Sequence, residues 1–472
     1  MPVLRDLIPQ PSLVRRLSEL KLIDSVQEHA LVRDGIVTLP DLELAMAEER
    51  PWTAGLQRAA SVLQQEVRAL PLGRAWNLLE PLIAAIAAAC PEVQALEPTG
   101  GVRRTEPIVS GLSLIGRTPA PAPAIRTIAE LPTIGEVAYR STRRIVAHVQ
   151  GHEIDVRLAT PDEYGTLLFA TTGPAAHVAE VNRRRGVRLS ASETEVYTHA
   201  GLGYLPPQLR HAPDAIAAAT AHRVPRLVQR EDIRGDLHMH TTYSDGHDPL
   251  TQMVQEAHDL GYEYIAITDH SEHSAASRTI TPSDLARQRD EIDALRDSVP
   301  EMTILHGIEV DILPNGRLDC PDAVLERLDI VLASLHDQAG HSRARLTERC
   351  LGAIRHPLVS VITHPGNQLV AHRPAYDMDY GALYAAAAET GTALEIDGAP
   401  SHLDLDGDRA REAAAAGVTL VIDSDCHRAP ALDRQMRLGI GTARRGWVEP
   451  RQVLNTRSIG EVLAFLAHKR HR

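Results

Sequence analysis

The stretch GDLHMH at residues 235–240 is an apolar run that closes in two histidines, and six later runs repeat the pattern. They are IAITDH (265–270), ILHGIEVDI (304–312), IVLASLHD (330–337), VSVITHP (359–365), ALEIDG (393–398) and TLVIDSDCH (419–427). Each carries a potential metal ligand at or near its end. Helical segments lie between them: PLTQMVQEAHDLG, SDLARQRDEIDALRDS, RARLTERCLGAIRH, DYGALYAAAAETG and GDRAREAAAAG. Strand then helix, repeated about seven times, marks a parallel barrel or a doubly wound sheet. In an open sheet with strands about 4.8 Å apart, the outermost ligands would be too distant to share a site. A β/α barrel instead collects the C-terminal ends of its strands around one mouth, so the barrel is expected.

The spacing within the runs points to metal chemistry. His238 and His240 are two apart on a strand and share a face, and Asp425 with His427 repeats that arrangement. Asp245 follows in the tight turn SDG, where it can fold back over the strand end. His270, His336 and His364 each close a separate run, and Glu309 is the only glutamate of the set, with two oxygens able to bridge two metals. Nine ligands are too many for one ion, so two or three divalent ions are expected. Imidazole and carboxylate suit Zn²⁺, Mn²⁺ and Fe²⁺ alike. His247, His258, His273, His341, His356 and His402 lie off the strand ends and read as solvated histidines.

The rest of the chain sets limits. With 472 residues, at least two domains are expected. The net charge of −13 is uneven: residues 1–230 hold 25 Arg and Lys against 24 Asp and Glu, and residues 231–472 hold 24 against 38. That balance argues against a broad, salt-sensitive grip on duplex DNA and fits a small or locally recognised phosphate substrate. Cys90, Cys320, Cys350 and Cys426 form no C-x₂-C pair, so neither a thiolate zinc site nor a disulfide framework is indicated, and Cys426 reads as a small buried residue. The opening MPVLRDLIPQ lacks the apolar stretch of a secretory signal, and PLIAAIAAAC at 81–90 is too short to span a bilayer. A cytoplasmic protein with no membrane contact is expected; the oligomeric state stays open. Residues 2–90 read as helical, 91–165 as a small mixed sheet, and the boundary before the second half falls near 225–235.

The motifs DLHMHTTYSDG, ITDH, GIEVD, SLH, THP and DSDCH resemble those of the polymerase and histidinol phosphatase (PHP) superfamily over nearly all of 235–455. The resemblance implies a distorted (β/α)₇ barrel with a trinuclear site that hydrolyses phosphoesters. It assigns one metal to His238, His240, Glu309 and Asp425, a second to Glu309, His336 and His364, and a third to Asp245, His270 and His427. Bound metals lower the pKa of water and neutralise phosphoryl charge, so no protein nucleophile is needed. Asp425 reads either as a proton acceptor or as a structural ligand. Arg373 reads as a substrate-phosphate contact or as a surface salt bridge.

Residues 1–215 resemble bacterial family X DNA polymerases, which carry a PHP domain at their C-terminus. The resemblance rests on GGVRR (100–104), EIDVRLATPDEYG (153–165), ATTGPAAH (170–177) and ETEVYTHAGLGYLPPQLR (193–210). It implies a multidomain α/β chain with a helical, fingers-like region and degenerate helix-hairpin-helix at 1–90, a palm/thumb-like region at 91–215, a linker at 216–234 and the PHP domain at 235–460. Where the family has Gly-Asp-x-Asp, this chain has Ser110-Gly111-Leu112-Ser113, so two magnesium-binding aspartates are absent and only Asp155 remains. Two-metal nucleotidyl transfer needs those ligands, and an inactive polymerase site is expected. IPQPSL (8–13) replaces the glycine-rich DNA-binding turn, and no N-terminal lyase domain is expected before it. Arg103 and Arg104 are candidates for residual nucleic-acid contacts, while Arg183-Arg184-Arg185 reads as a solvated helix face. In the barrel, His364-Pro-Gly-Asn-Gln368 and His372-Arg373 stand where the family has HPTGR and Arg-Arg, and Asp397 replaces an asparagine, adding charge at the mouth.

Three functions follow. The first is a 3′–5′ exonuclease or 3′-end-processing enzyme in DNA repair. The second is a small-molecule phosphomonoesterase of the histidinol-phosphatase kind. The third is a non-enzymatic DNA-repair scaffold, which is disfavoured because open metal sites are usually catalytic.

Overall fold

A computed structural model describes residues 12–66, 69–186, 188–274, 276 and 278–471. Residues 8–11 of the IPQPSL segment lie outside them. The chain divides into two compact units, Met1–Val224 and Pro225–Arg472.

The first unit begins with four helices, Ser12–Glu19, Ser25–Arg33, Leu39–Ala47 and Gln57–Glu66. Asp24 caps the second through a reciprocal bond pattern with Gln27, which satisfies amides that the helix start leaves unpaired. Leu13, Leu17, Leu31, Leu42, Leu56 and Leu63 form their common core. A five-stranded mixed sheet follows: β1 (Gln94–Pro98), β2 (Leu112–Arg117), β3 (Val137–Arg140), β4 (Arg144–Val149) and β5 (His152–Ala159), in the order β1-β2-β5-β4-β3. Only β2 and β5 run parallel, and their register places Ser113 beside Asp155. The stretch read as a linker carries a short helix, Ala215–Thr220, and a 3₁₀ turn, Arg230–Asp232.

The second unit is a single seven-stranded parallel sheet curled into a nearly closed barrel. Its strands are β6 (Gly235–Asp236), β7 (Tyr264–Ile267), β8 (Thr303–Asp311), β9 (Ile330–Ser334), β10 (Val361–Ile362), β11 (Ala393–Asp397) and β12 (Leu420–Asp423), each hydrogen bonded to the next in chain order. The two edges approach through a parallel bridge between Met239 and Cys426, where the His240 amide donates to the Cys426 carbonyl at 2.9 Å. Side-chain alternation then sorts the core. Ile265, Ile267, Ile304, Val331, Ile362, Leu394 and Ile422 pack with the surrounding helices, whereas Ala266, Leu305, Leu332, Val361, Ala393 and Val421 form a separate cluster. Leu454, Val462 and Leu466 join that second cluster, so the C-terminal helix Ile459–Arg470 packs on the strand starts and leaves the opposite end to the ligands. Among the described residues, no helix is long and apolar enough to cross a membrane.

Candidate metal centre

All nine candidate ligands converge at the C-terminal ends of the barrel strands. Glu309, on β8 and with no solvent exposure, is their centre. Its Oε1 lies 3.1 Å from His364 Nε2 and 3.7 Å from His336 Nε2. Its Oε2 lies 2.8 Å from His270 Nδ1, 3.5 Å from His238 Nε2 and 3.7 Å from His240 Nε2. Asp425 Oδ1 lies 3.0 Å from His240 Nε2 and 3.6 Å from His238 Nε2. Asp245 Oδ1 lies 3.3 Å from His427 Nε2 and 3.5 Å from His270 Nε2.

Close contact of this kind has a physical meaning. His238 and His240 present their Nε2 atoms to each other at 3.1 Å, and Glu309 Oε2, Asp245 Oδ1 and His364 Nδ1 are buried without a hydrogen-bond partner. Converging lone pairs and unsatisfied buried oxygens are costly unless a cation sits among them. The donor set therefore fits divalent metal, with ligand atoms grouped within 4.8 Å as His238–His240–Asp425, His270–Glu309–His336 and His240–Asp245–His270–His427. His240 and His270 each fall in two groups, so the division of ligands is less clean than the motif assignment implies.

Backbone and neighbouring side chains aim these groups. The SDG turn folds onto the strand end so closely that a Cβ on Gly246 would lie 2.6 Å from the His240 carbonyl. Only glycine fits there, and the turn carries Asp245 over the site. His364 and Asp425 both have left-handed φ, of 26° and 49°, a strain of about 1–3 kcal/mol each that the surrounding fold must offset. Glu395 Oε1 pairs with His238 Nδ1 at 2.7 Å, and its Oε2 accepts from the His364 amide at 2.6 Å. Asp311 pairs with His336 Nδ1 at 2.7 Å, and Thr363 Oγ1 donates to Glu309 Oε1 at 2.8 Å. Partners of this type set the tautomer and ring orientation of metal-binding histidines.

The electrostatics follow from burial and mutual proximity. Burial opposes the charge of Glu309, but His238, His270 and His336 outweigh it and hold the carboxyl well below its ordinary range. Asp425 is depressed in the same way, against burial, by His238 and His240. His238 is raised because Glu395, Glu309 and Asp425 overcome burial, whereas burial, His270 and His427 drive His240 down to about 3. The two adjacent rings thus differ as expected for neighbours that cannot both be charged.

Four expectations need correction. Arg373 makes no surface salt bridge among the described residues but is held within its own loop: its Nη2 donates to the Asn367 carbonyl at 2.7 Å and to Asn367 Oδ1 at 2.9 Å, and its guanidinium lies over Tyr376. The loop folds back on itself, so the arginine staples 367–376. Asp397 does not lie exposed at the mouth: it is fully buried, and burial, Asp425 and Glu395 push its carboxyl well above the ordinary range. His402 is not a solvated histidine: its ring stacks on His364 at 5.1 Å and its Nδ1 is buried. Arg103 is engaged by Glu97 and Glu193, each at 2.9 Å, and Arg104 by Glu106, so internal ion pairs hold both. Arg183 and Arg184 pair with Glu180 on the outward face of their own helix.

The fold and this centre define a metal-dependent phosphoesterase of the PHP class, a hydrolase of phosphoester bonds, and residues 236–381 match the PHP domain family. The DNA polymerase/3′-5′ exonuclease PolX of Bacillus subtilis (strain 168) is 35% identical over 388 residues, covering 78% of this chain and 68% of that protein. The chain belongs to the PolX family. A probable phosphatase of Thermoanaerobacter sp. (strain X514) is 29% identical over 249 residues, 50% of this chain and 96% of that protein. A histidinol phosphate phosphatase from Lactococcus lactis, solved with zinc, L-histidinol and phosphate, aligns with 46% of this chain and 95% of its own at 17% identity and a TM-score of 0.37.

Proposed function

We propose that His238, His240, Asp245, His270, Glu309, His336, His364, Asp425 and His427 hold two or three divalent cations, and that the protein uses them as a 3′–5′ exonuclease or 3′-end-processing enzyme on DNA. The observation that carries the reading is Glu309, whose two oxygens face five histidines that follow four different strands. When bound, the cations supply Lewis acidity to a phosphoryl group and activate water for attack. The protein's own part is positional. Glu395 keeps the Nε2 of His238 turned inward, Asp425 is held ionised as a ligand, and Asp245 closes the rim beside His427. Arg373 acts through Asn367, whose amide donates to the carbonyls of Leu335 and His336 at 2.9 and 3.1 Å.

DNA is favoured because the PolX similarity extends over 388 residues, well past the barrel. In the first unit we infer an inactive polymerase site. Asp155 stands beside Ser113 rather than an aspartate, and its oxygens are occupied by Arg144 at 2.9 and 2.8 Å and by Arg157 at 2.9 Å. The four cysteines are free, which suits a reducing cytoplasm. A small phosphomonoester is the second reading, favoured by the probable phosphatase that this chain matches over 96% of its length.

The test is to incubate Mn²⁺-loaded protein with labelled single-stranded and gapped DNA, with histidinol phosphate and with an aryl phosphate. Shortening of DNA from its 3′ end is expected, and His238→Ala/His240→Ala should abolish it. Turnover of monoesters alone would establish the second reading instead.

A further inference from the structure

We propose that Asp397, His402 and Asp425 build an additional divalent-cation position next to the main cluster, taking a borderline metal such as Mn²⁺ or Zn²⁺. The inference rests on the reading of Asp425 as a ligand, and it adds two residues outside the nine, Asp397 and His402.

One ligand atom from each of these side chains lies within 4.8 Å of the other two. Bonds of about 2.0–2.2 Å to imidazole and carboxylate would close that spacing with sub-ångström shifts. Asp397 has no solvent exposure, and only its Oδ1 is used, accepting from the Ala399 amide at 2.5 Å. Its Oδ2 is buried and unpartnered, and so is His402 Nδ1. If this carboxylate and imidazole served packing alone, a hydrogen bond between them would be the cheapest arrangement. They remain unbonded to each other, which leaves both atoms without a hydrogen-bond partner.

The loop that carries His402 is held in place for such a role. Gln368 Nε2 donates to the His402 carbonyl at 2.9 Å and to the Leu403 carbonyl at 2.8 Å. The Val370 amide donates to the Ser401 carbonyl at 2.8 Å, and the His402 ring is nearly parallel to His364, at 19°. A preorganised imidazole loses little freedom when it binds. Asp425 has a second oxygen beyond the Oδ1 that faces His238 and His240, so one carboxylate can serve both positions, as in carboxylate-bridged metal pairs about 3.5–4 Å apart. Three protein ligands leave the remaining coordination open to water or to a substrate phosphate oxygen, as in catalytic metal sites.

Crystals of the full chain soaked in millimolar Mn²⁺ test this by anomalous scattering, with metal content of the dialysed protein measured in parallel. A peak between Asp397 and His402, beside peaks among the nine ligands, is expected. In Asp397→Asn and His402→Ala that peak should vanish, with loss of about one equivalent of metal, while the others persist. Peaks among the nine but none at Asp397 and His402 in the wild type would overturn this inference alone. A peak undiminished in both variants would also overturn it. Absence of every peak would overturn the main cluster and this position with it.

Discussion

A single proton decides whether His238 can serve the site. Its Nε2 must carry a lone pair toward Glu309 and Asp425, and that requires Nδ1 to be the protonated nitrogen. Glu395 enforces this at 2.7 Å from Nδ1, while its other oxygen holds the amide of His364, so one carboxylate orients two candidate ligands. Glu395→Gln keeps the volume but turns an amide NH₂ toward one of those donors. A 10- to 100-fold weaker metal affinity is expected, measured by competition with a fluorescent chelator, because outer partners of metal histidines typically contribute that much. Glu395 was hard to single out in the sequence. It lies two residues before the end of β11, just as Glu309 lies two residues before the end of β8, and only the fold shows that its carboxylate backs His238 rather than joining the ligands. His402 was illegible for a related reason. It follows the end of β11 by five residues, and a loop position carries no periodicity to say which way a side chain turns.

At the scale of elements, the barrel was legible because strand and helix periods differ and because ligand types recur where each apolar run stops. The first unit was less so. Its buried contacts join segments far apart in the chain, as where Asp41 of the helix Leu39–Ala47 meets Arg144 at 2.8 Å and Arg157 at 2.7 Å. Helix packing there also creates a pH-sensitive group. His177, on the helix Ala175–Arg185, is buried with its Nε2 2.8 Å from the Tyr197 hydroxyl. Burial first, then Arg210 and Arg104, push its pKa down to about 3. The folded state thus keeps it neutral, whereas the unfolded chain binds a proton below about 6.5. Its contribution is intact above that value and is lost as pH falls from about 6.5 toward 3, with a slope near 1.4 kcal/mol per pH unit. Urea unfolding of this unit at pH 7.5 and pH 5 should differ by about 2 kcal/mol more in the wild type than in His177→Gln. Equal pH dependence of the two proteins would show that His177 is not the titrating group.

For the whole molecule the question is which of the two units retains a place for cations. In the barrel, imidazoles and carboxylates face one another with unsatisfied atoms between them. In the first unit the corresponding carboxylate is already neutralised: Asp41, Arg144, Asp155 and Arg157 form a closed set of two acids and two guanidiniums, with Asp155 only 7% exposed. Asp41, Asp155 and Arg157 line a pocket with Gly100, Gly101 and Ser113, so the space exists while the Asp155 carboxylate in it is already paired. A metal ion entering there would have to displace arginines from a buried network, at about 3–5 kcal/mol for each pair broken. Primer–template DNA with all four nucleotides and Mn²⁺ should accordingly show shortening and no extension. Restoring carboxylates makes the sharper experiment. Gly111→Asp/Ser113→Asp places a new acid in register with Asp155, yet Arg144 and Arg157 remain beside it and would pair with the added charge. No extension is expected from that variant either, whereas template-directed extension by it would mean that the missing aspartates alone silence the site, and extension by the wild type would mean that it is not silent.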